Sequence, residues 1–542
     1  MDPIDMNVVD INCEDLGLSR LCLMENAGKC LSDEIAKIST FTFSKPVKIG
    51  IFTGSGGNAG DGFVAARHLL NRGFEVEIFM LTSKNSIKSI DAQINFEILE
   101  NMVPNISRLK IIELNDLTDI EHIEIANSNS FSEYIIIDGI LGTGIDGKLK
   151  EKVKKVIEVI NESNSLKISI DVPSGMDPLT GEIPDIAVKP EYTVTFHKVK
   201  TGVKKASLSD ESSVGGLVIC DIGIPIEAEI FTGTGDLLRL NSRKKTSHKG
   251  NNGKILIVGG SKDYHGAPTI AGLSALASGS DLVYIACPES VSLAIKQKSP
   301  DLIVKGLEGF EGVEGLERLN SGNKDYLNLD NLEEILKIIE DNSIDAILLG
   351  PGAGQNEETG KLFNVLAKKI DKPLVIDADA LKLVDPIVIK NREDLILTPH
   401  LMEFKSFFNN YIDEYDNITL ISDSEELDYI KLKEKIATFQ NVIKNINGTV
   451  ILKGKYDLIF SKNSLRINKT GNSGMTVGGT GDSLAGVATS LLSQGLNSYH
   501  AGALATYLNG KAGDFAKEEY GNGFVASQLS EFLGLLMENI NI

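Results

Sequence analysis

No stretch of this chain stays apolar for the roughly 18–20 residues that a helical bilayer span needs, so no membrane segment is expected. The first ten residues carry three acids, Asp2, Asp5 and Asp10, and no basic patch ahead of an apolar core, so no secretory leader is expected either. Cysteine is scarce. Cys13, Cys22, Cys30, Cys220 and Cys287 are odd in number, scattered, and form no Cys-x-x-Cys pair. That usage points to reduced thiols in a cytoplasmic protein rather than to a disulfide framework or a zinc knuckle. The seven histidines show no metal-ligand spacing such as His-Glu-x-x-His, and His68 and His500 read as ordinary. Positive charge is also short: 54 Lys and Arg against 75 Asp and Glu leave a formal net charge of −21. So acidic a protein repels a phosphate backbone at long range, which excludes a broad nucleic-acid surface.

A small anionic ligand is still admissible, because backbone amides and helix N-termini make local anion sites whatever the global charge. Such a site should show as glycine-rich loops, and the chain has 52 glycines. At 542 residues and 42% hydrophobic, it is long enough for two or three domains with substantial cores.

Apolar runs alternate with helical patterns throughout. In the first half, strands are expected at Val47–Phe52, Val76–Leu81, Tyr134–Asp138 and Lys167–Asp171, with a glycine loop at Gly54–Gly62 and helices at Phe63–Arg72 and around Ile87–Met102. A charged, weakly patterned stretch at Phe231–Lys249 is the best place for a linker. The rhythm then resumes at Lys254–Gly260, Leu282–Ala286, Asp345–Leu349, Leu374–Asp377, Leu395–Leu397 and Thr449–Lys453. Three helices are expected at the end: Asp482–Ser493, His500–Phe515 and Ala526–Asn541. No repeat of fixed period is present. Both halves therefore predict α/β folds with open, mostly parallel sheets, and their loop motifs differ enough to argue for two folds rather than a duplication.

Ligands of open α/β sheets sit beyond the carboxyl ends of the strands. Three unusual loops stand there in the first half: Gly54-Ser-Gly-Gly-Asn-Ala-Gly-Asp-Gly62, Asp138-Gly-Ile-Leu-Gly-Thr-Gly144 and Asp171-Val-Pro-Ser-Gly175. A strand-end aspartate by itself often only caps a turn. Together, though, Asn58, Asp138 and Ser174 offer hard oxygen ligands from three loops, which suits potassium or magnesium better than zinc.

These loops, with Leu23-Met-Glu-Asn-Ala-Gly28 before them and Thr195-Phe-His-Lys-Val-Lys-Thr-Gly202 after, resemble the YjeF N-terminal family of epimerases acting on hydrated nicotinamide dinucleotides, over most of residues 1–225. The resemblance implies a Rossmann-like open sheet over residues 1–230. It implies substrate contacts from Gly57, Asn58, Ala59, Gly60 and Asp61, from Gly142, Thr143, Gly144, Ile145, Asp146, Gly147 and Lys148, and from Asp171. It also implies K+ held by Asn58, Asp138 and Ser174. Epimerisation at the hydrated C6 needs proton handling at a tetrahedral centre, and Asp171 is the residue expected to do it. The chain reads Gly57-Asn-Ala-Gly-Asp61 where the family usually has Asn-Asn-Gly-Gly-Asp.

The densest motif is Gly471-Asn-Ser-Gly-Met-Thr-Val-Gly-Gly-Thr-Gly-Asp-Ser-Leu-Ala-Gly486. Gly478, Gly479 and Gly481 lie ahead of a helix expected to begin at Asp482, an arrangement that exposes amides as an anion hole for phosphoryl transfer. Asp482 could take the proton of an attacking hydroxyl, or serve only as a helix cap. The motif resembles the ribokinase-like superfamily. The flanks Lys249-Gly, Tyr264-His-Gly-Ala-Pro268, Gly350-Pro-Gly352, Asp377-Ala-Asp-Ala-Leu381, Leu397-Thr-Pro-His400 and Lys453-Gly454 resemble its YjeF C-terminal dehydratase branch, over residues 246–540. This resemblance implies a ribokinase-like α/β domain at 246–542, joined by a linker at 231–245. Ala267, Gly352, His400 and Asp482 would meet the hydrated dinucleotide. Lys453, Gly454, Lys455, Tyr456 and Asp457, with Gly478, Gly479, Thr480 and Gly481, would contact ADP or ATP carried with Mg2+, and Asp482 would be the catalytic base. Two departures stand out: His400-Leu-Met-Glu403 for the usual His-Pro-Gly-Glu, and Asp457 for the usual Thr.

The implied function is repair of hydrated NADH and NADPH, by epimerisation and then nucleotide-dependent dehydration, in a cytoplasmic homo-oligomer. Two alternatives stay open at this stage. One is a ribokinase-like small-molecule kinase, which a stable phosphorylated product would reveal. The other is a non-catalytic binding module in the first half, against which Asn58, Asp138, Asp171 and Ser174 argue.

Overall fold

The computed structural model describes residues 1–43, 47–121, 134–144, 148–210, 213–308, 325–409 and 446–538. The chain forms two compact units, Met1–Ala228 and Glu229–Ile542. Both have the α/β class the sequence predicts.

Among the described residues, the first unit is built on seven strands: β1 (Lys48–Thr53), β2 (Glu75–Met80), β3 (Leu109–Glu113), β4 (Tyr134–Gly139), β5 (Leu166–Ile170), β6 (Tyr192–Phe196) and β7 (Gly216–Cys220). They pair in the order β3-β2-β1-β4-β5-β6-β7, every pair parallel. The inner strands are buried on both faces, which is why β4 and β5 read as isoleucine runs: Ile135, Ile136, Ile137, Ile168 and Ile170 are all fully buried. Chain order reverses between β1 and β4, opening a crevice at their carboxyl ends. Helices Arg20–Thr42 and Ile90–Met102 are capped by Ser19 and Ser89, whose hydroxyls accept from Cys22 N and Ala92 N.

Two expectations fail in this unit. The helix after β1 begins at Gly57, not at Phe63, so most of the expected glycine loop is its first turn. Cys30 and Cys220 form a disulfide, so the expectation of reduced thiols is corrected for those two. They lie 190 residues apart, on helix Arg20–Thr42 and on β7, and only the tertiary fold brings them together.

Among the described residues, the second unit has nine strands: β8 (Lys254–Val258), β9 (Leu282–Pro288), β10 (Ile303–Leu307), β11 (Ala346–Leu349), β12 (Leu374–Ile376), β13 (Leu395–Leu397), β14 (Thr449–Leu452), β15 (Asp457–Phe460) and β16 (Leu465–Asn468). Their order is β10-β9-β8-β11-β12-β13-β14-β15-β16, parallel as far as β14 and antiparallel beyond it. Helices Gly266–Ala277 and Thr480–Ser493 pack closely on the sheet; a Cβ on Gly486 would stand 2.1 Å from Ala271 O, so only glycine fits there. Helix Thr480–Ser493 starts two residues before the expected Asp482. The last expected helix is a short 3-10 turn, Ala526–Gln528, followed by Leu529–Glu538, and its end at 539–541 lies outside the described residues.

The stretch read as a linker, 231–245, begins inside this unit. Phe231 bridges to Ile467, the Thr232 hydroxyl donates to Asn468 Oδ1 at 3.0 Å, and Arg466 grips the buried Asp236 at 2.6 and 3.1 Å. Leu237 and Leu240 join the core. The charge of this segment hid its apolar contacts. Among the described residues, no helix is long and apolar enough to cross a membrane.

Candidate active sites

The first site lies at the carboxyl ends of β1, β4 and β5. Asn58, in the first turn of helix Gly57–Asn71, donates through Nδ2 to Leu141 O at 3.2 Å and to Ile170 O at 2.7 Å. One amide thus ties the first of the loops singled out in the sequence to the second and to the end of β5, from which the third begins. Asp138, fully buried, accepts from Ser174 Oγ at 2.5 Å, Ser169 Oγ at 2.8 Å, Ser174 N at 2.9 Å and Ile140 N at 3.3 Å. Burial pushes the Asp138 carboxyl up, while the Ser174 and Ser169 hydrogen bonds pull against it. The Ser174 hydroxyl also takes the amide of Leu141 at 2.9 Å. Asn58, Asp138 and Ser174 therefore meet around Leu141. Gly142 faces them, and a Cβ on it would lie 2.4 Å from Asn58 Oδ1.

Ala59 and Gly60 are buried in the helix turn, whereas Gly57 and Gly144 open to space and Lys148 is exposed. Ile145, Asp146 and Gly147 lie outside the described residues. Asp171 ends β5 in a left-handed backbone, φ +64, a conformation that aspartate tolerates better than most residues. Its Oδ1 accepts from Thr195 Oγ1 at 2.8 Å, from Phe196 N at 3.4 Å, and from the Lys200 ammonium. Two further acids share this corner. Burial pushes Asp10 up to about 6 and Asp61 well above its ordinary range; Asp171 raises both and Lys200 opposes both. Sequence reasoning gave no role to Lys200, Thr195 or Asp10, although the first two stand in a run it had marked.

The second site lies where β8, β11, β12, β13 and β14 end. Gly260 N donates to Pro351 O at 2.8 Å, locking the two glycine turns together. Gly352 has φ +62, and a Cβ there would stand 2.1 Å from Tyr264 O, so the turn beside Ala267 requires glycine. Asp377, at the end of β12, accepts from Thr398 Oγ1 at 2.6 Å and from Lys453 Nζ at 3.1 Å. Three neighbouring strand ends thus converge on one carboxylate. Asp482 faces them from the first turn of helix Thr480–Ser493, whose N-cap is Gly479 at φ +101. It is not the cap, and it accepts no hydrogen bond among the described residues, which removes the plain capping explanation. Burial first, then Asp377 and Asp379, push its carboxyl up to about 7, with Lys453 opposing. Burial would lower the Lys453 ammonium, but Asp377, Glu403 and Asp482 hold it above its usual range. A Cβ on Gly481 would be 3.2 Å from Lys453 Nζ, so the glycine lets the ammonium reach the helix start.

His400 caps helix Leu401–Phe407: its Nδ1 accepts from Met402 N at 3.1 Å and Glu403 N at 3.2 Å, and His400 N donates in return to Glu403 Oε2 at 3.0 Å. The unusual Leu401-Met402 pair is simply the first turn of that helix. His400 bridges by backbone to Lys453, so it does border the site. Asp457 accepts from Asn468 Nδ2 at 3.1 Å and Gly454 N at 3.2 Å, and burial pushes it up to about 6. Both bonds lie within the β15–β16 hairpin and the turn that leads into it. Asp377, Asp379 and Thr398 were unassigned by sequence, though Asp377 and Thr398 each directly follow an apolar strand and Asp379 stands two residues further on.

Residues 255–534 match a family model described as NAD(P)H-hydrate dehydratase, and residues 20–202 match one described as YjeF-related protein N-terminus. A relative from Methanothermobacter thermautotrophicus, named bifunctional NAD(P)H-hydrate repair enzyme Nnr, is 42% identical over 541 residues, 99% of this chain and 95% of that one. One of the same name from Archaeoglobus fulgidus is 36% identical over 530 residues, 97% and 96% of the two chains. A solved Bacillus subtilis ADP/ATP-dependent NAD(P)H-hydrate dehydratase, crystallised with ATP and Mg2+, is 23% identical with a TM-score of 0.43, over 58% of this chain and 99% of that one.

Proposed function

The chain belongs to the bifunctional NAD(P)H-hydrate repair enzymes, and on that premise we propose that residues 1–230 interconvert the R and S hydrates and residues 246–542 dehydrate the S hydrate. The observation that carries this reading is Asp482, a carboxyl poised at about 7 at the glycine-rich start of a helix and free of any capping bond. A group with that value takes a proton readily at neutral pH and gives it up again.

In the second unit, Asp482 takes the proton of the C6 hydroxyl as that oxygen attacks the terminal phosphorus of ADP or ATP, whose bond to the bridging oxygen breaks to release AMP or ADP. The amides of Gly479, Thr480 and Gly481 and the Lys453 ammonium stabilise the transferred phosphoryl group. Phosphate then leaves from C6 with its bonding electron pair, the C5 proton passes to solvent, and the C5–H electron pair forms the C5–C6 double bond. Ala267, Gly352 and His400 border the dinucleotide, and Lys453–Asp457 the adenosine phosphates. Magnesium would enter with the nucleotide phosphates and neutralise their charge.

In the first unit, Asp171 takes the C6 hydroxyl proton as the C6–N1 bond opens with its electron pair going to N1. Reclosure from the other face returns the proton and inverts C6. The 57–61 and 142–148 loops hold the substrate. Asn58, Asp138 and Ser174 supply the hard oxygens that an alkali cation takes, and Asn58 Oδ1 points at the crowded position over Gly142. Potassium bound there would add positive potential beside the substrate loop.

The test follows absorbance at the dihydronicotinamide band. The chain is incubated with mixed R and S hydrated NADH, K+, Mg2+, and either ADP or ATP. Full recovery is expected, and the donor that supports it is thereby identified. Recovery of the S fraction alone would remove the epimerase half of the reading, and a stable phosphorylated product would point instead to a kinase.

A further inference from the structure

Resting on the epimerase reading of the first unit, we propose that Lys200 is a positioning residue for Asp171: it pins one carboxylate oxygen, so that the other, Oδ2, is the atom that exchanges a proton with substrate.

The geometry is one-sided. Thr195 Oγ1, Phe196 N and Lys200 Nζ all donate to the same oxygen, Oδ1. Oδ2 accepts nothing among the described residues, and it is not one of the sealed polar atoms left without a partner. An ionised carboxylate has about four lone-pair sites, so three donors on one oxygen and none on the other orient the group for an incoming ligand. Lys200 is itself held: it stands at the N-cap of helix Thr201–Ser209, is only 2% exposed, and shares its ammonium with Phe196 O at 3.3 Å. A buried ammonium so fixed gives direction as well as charge.

The other titratable groups of this corner leave Asp171 as the partner of that charge. Asp10 faces it from helix Pro3–Asp15, Asp61 from helix Gly57–Asn71, and His197 from the turn after β6. Burial and the Asp171 charge push both Asp10 and Asp61 up, and among the described residues it is Asp171 whose carboxylate lies within hydrogen-bond reach of the ammonium. The left-handed backbone of Asp171 is held by the Asp171 N to Val194 O bond at 2.7 Å, which fixes the carboxylate from the main-chain side too.

The experiment uses the full chain and two substitutions, Lys200→Met and Thr195→Val, with Thr195→Ser as the conservative control. Exchange of R and S hydrates is followed from pH 5 to pH 9, and dehydration of pure S hydrate by the same preparation reports that the second unit is intact. For Lys200→Met, kcat for exchange is expected to fall about 10²-fold with KM changed less than about threefold, the signature of a lost proton-transfer geometry. The acid limb of its pH profile is expected to move to higher pH, because losing a cation beside a carboxylate favours the protonated acid. Thr195→Val should move the limb the same way by less, and Thr195→Ser should restore it. Wild-type exchange with unchanged kcat and unchanged acid limbs in both substitutions would overturn the role of Lys200 alone. If Lys200→Met does not fold, an unmoved limb in Thr195→Val overturns it equally. No exchange in the wild-type chain removes the epimerase reading and this inference with it.

Discussion

Both units place an aspartate at the carboxyl edge of the parallel strands with a lysine nearby, buried in the first and half-buried in the second, yet the two aspartates are held in opposite ways. Lys200 bonds to Asp171 itself, with Thr195 and Phe196 on the same oxygen. Lys453 bonds instead to Asp377, 76 residues earlier, and leaves Asp482 with only its field. The first arrangement fixes a direction. The second tunes a proton affinity, because burial and two neighbouring carboxylates drive Asp482 up to about 7 against one cation. The difference matches the chemistry proposed for each. Epimerisation must return a proton to a defined face, whereas phosphoryl transfer needs a base that is partly unprotonated at neutral pH and is otherwise assisted by fixed amides.

The largest effect expected is at the tuned acid. Asp482→Asn should lower dehydration about 10²–10⁴-fold, the usual span for a general base, while exchange of the R and S hydrates in the first unit continues. In the wild-type chain, dehydration should fall about tenfold per pH unit below about 7, since a protonated Asp482 cannot accept the hydroxyl proton. Dehydration that survives in Asp482→Asn, or a rate flat down to pH 5, would show that the two sites do not differ in the way described.

A smaller effect separates tuning from positioning. Asp377→Asn removes the like charge that most raises Asp482 after burial, and it releases Lys453 from its bond. Both changes favour ionised Asp482, so the acid limb of dehydration should move about one unit to lower pH, with kcat above pH 8 changed by only several-fold. A limb that stays at about 7 would assign the value to burial alone.

What the sequence showed of this arrangement was the local part. Buried parallel strands read as apolar runs, so β1, β4, β5, β8, β13 and β14 were visible to within a residue or two, and the glycine loops marked where they end. Asn58, Asp138 and Ser174 were grouped because they offer hard oxygens from three loops at one sheet edge, and the fold does bring them together. What stayed hidden depends on distance along the chain or on burial that overrides composition. The Asp377–Lys453 pair, the Cys30–Cys220 disulfide and the Asp236–Arg466 pair span 76, 190 and 230 residues, and no window on the sequence contains them. Helix Gly57–Asn71 was placed six residues late because three glycines in its first turn mimic a loop. Those residues form the helix start, where free amides and close backbone approach are useful. Charge misled in the other direction at 231–245, where Arg239 and Asp236 sit beside buried leucines.

The smallest effect is on stability, and there the tuned aspartate should cost the fold something. Its carboxyl rises from an ordinary 3.8 to about 7 on folding, so the folded chain binds that proton more tightly than the unfolded chain does. The resulting penalty is absent below the unfolded value, grows as pH rises between the two, and is complete above about 7. Asparagine cannot ionise and escapes it. Three units correspond to about 4 kcal/mol at most; Asp482 keeps some contact with solvent, which cuts the expected gain to about 1–2 kcal/mol. Asp482→Asn should therefore raise the melting temperature of the second unit by about 2–4 °C at pH 8, and by nothing measurable at pH 4. Calorimetry at the two pH values checks both the size and the sign. A gain equal at both would trace to packing rather than charge. A neutral replacement of Asp171 instead strips the buried Lys200 ammonium of its partner, which costs stability. A substitution that trades activity for stability at one aspartate and forfeits both at the other is the sharpest form of the contrast between a tuned acid and a pinned one.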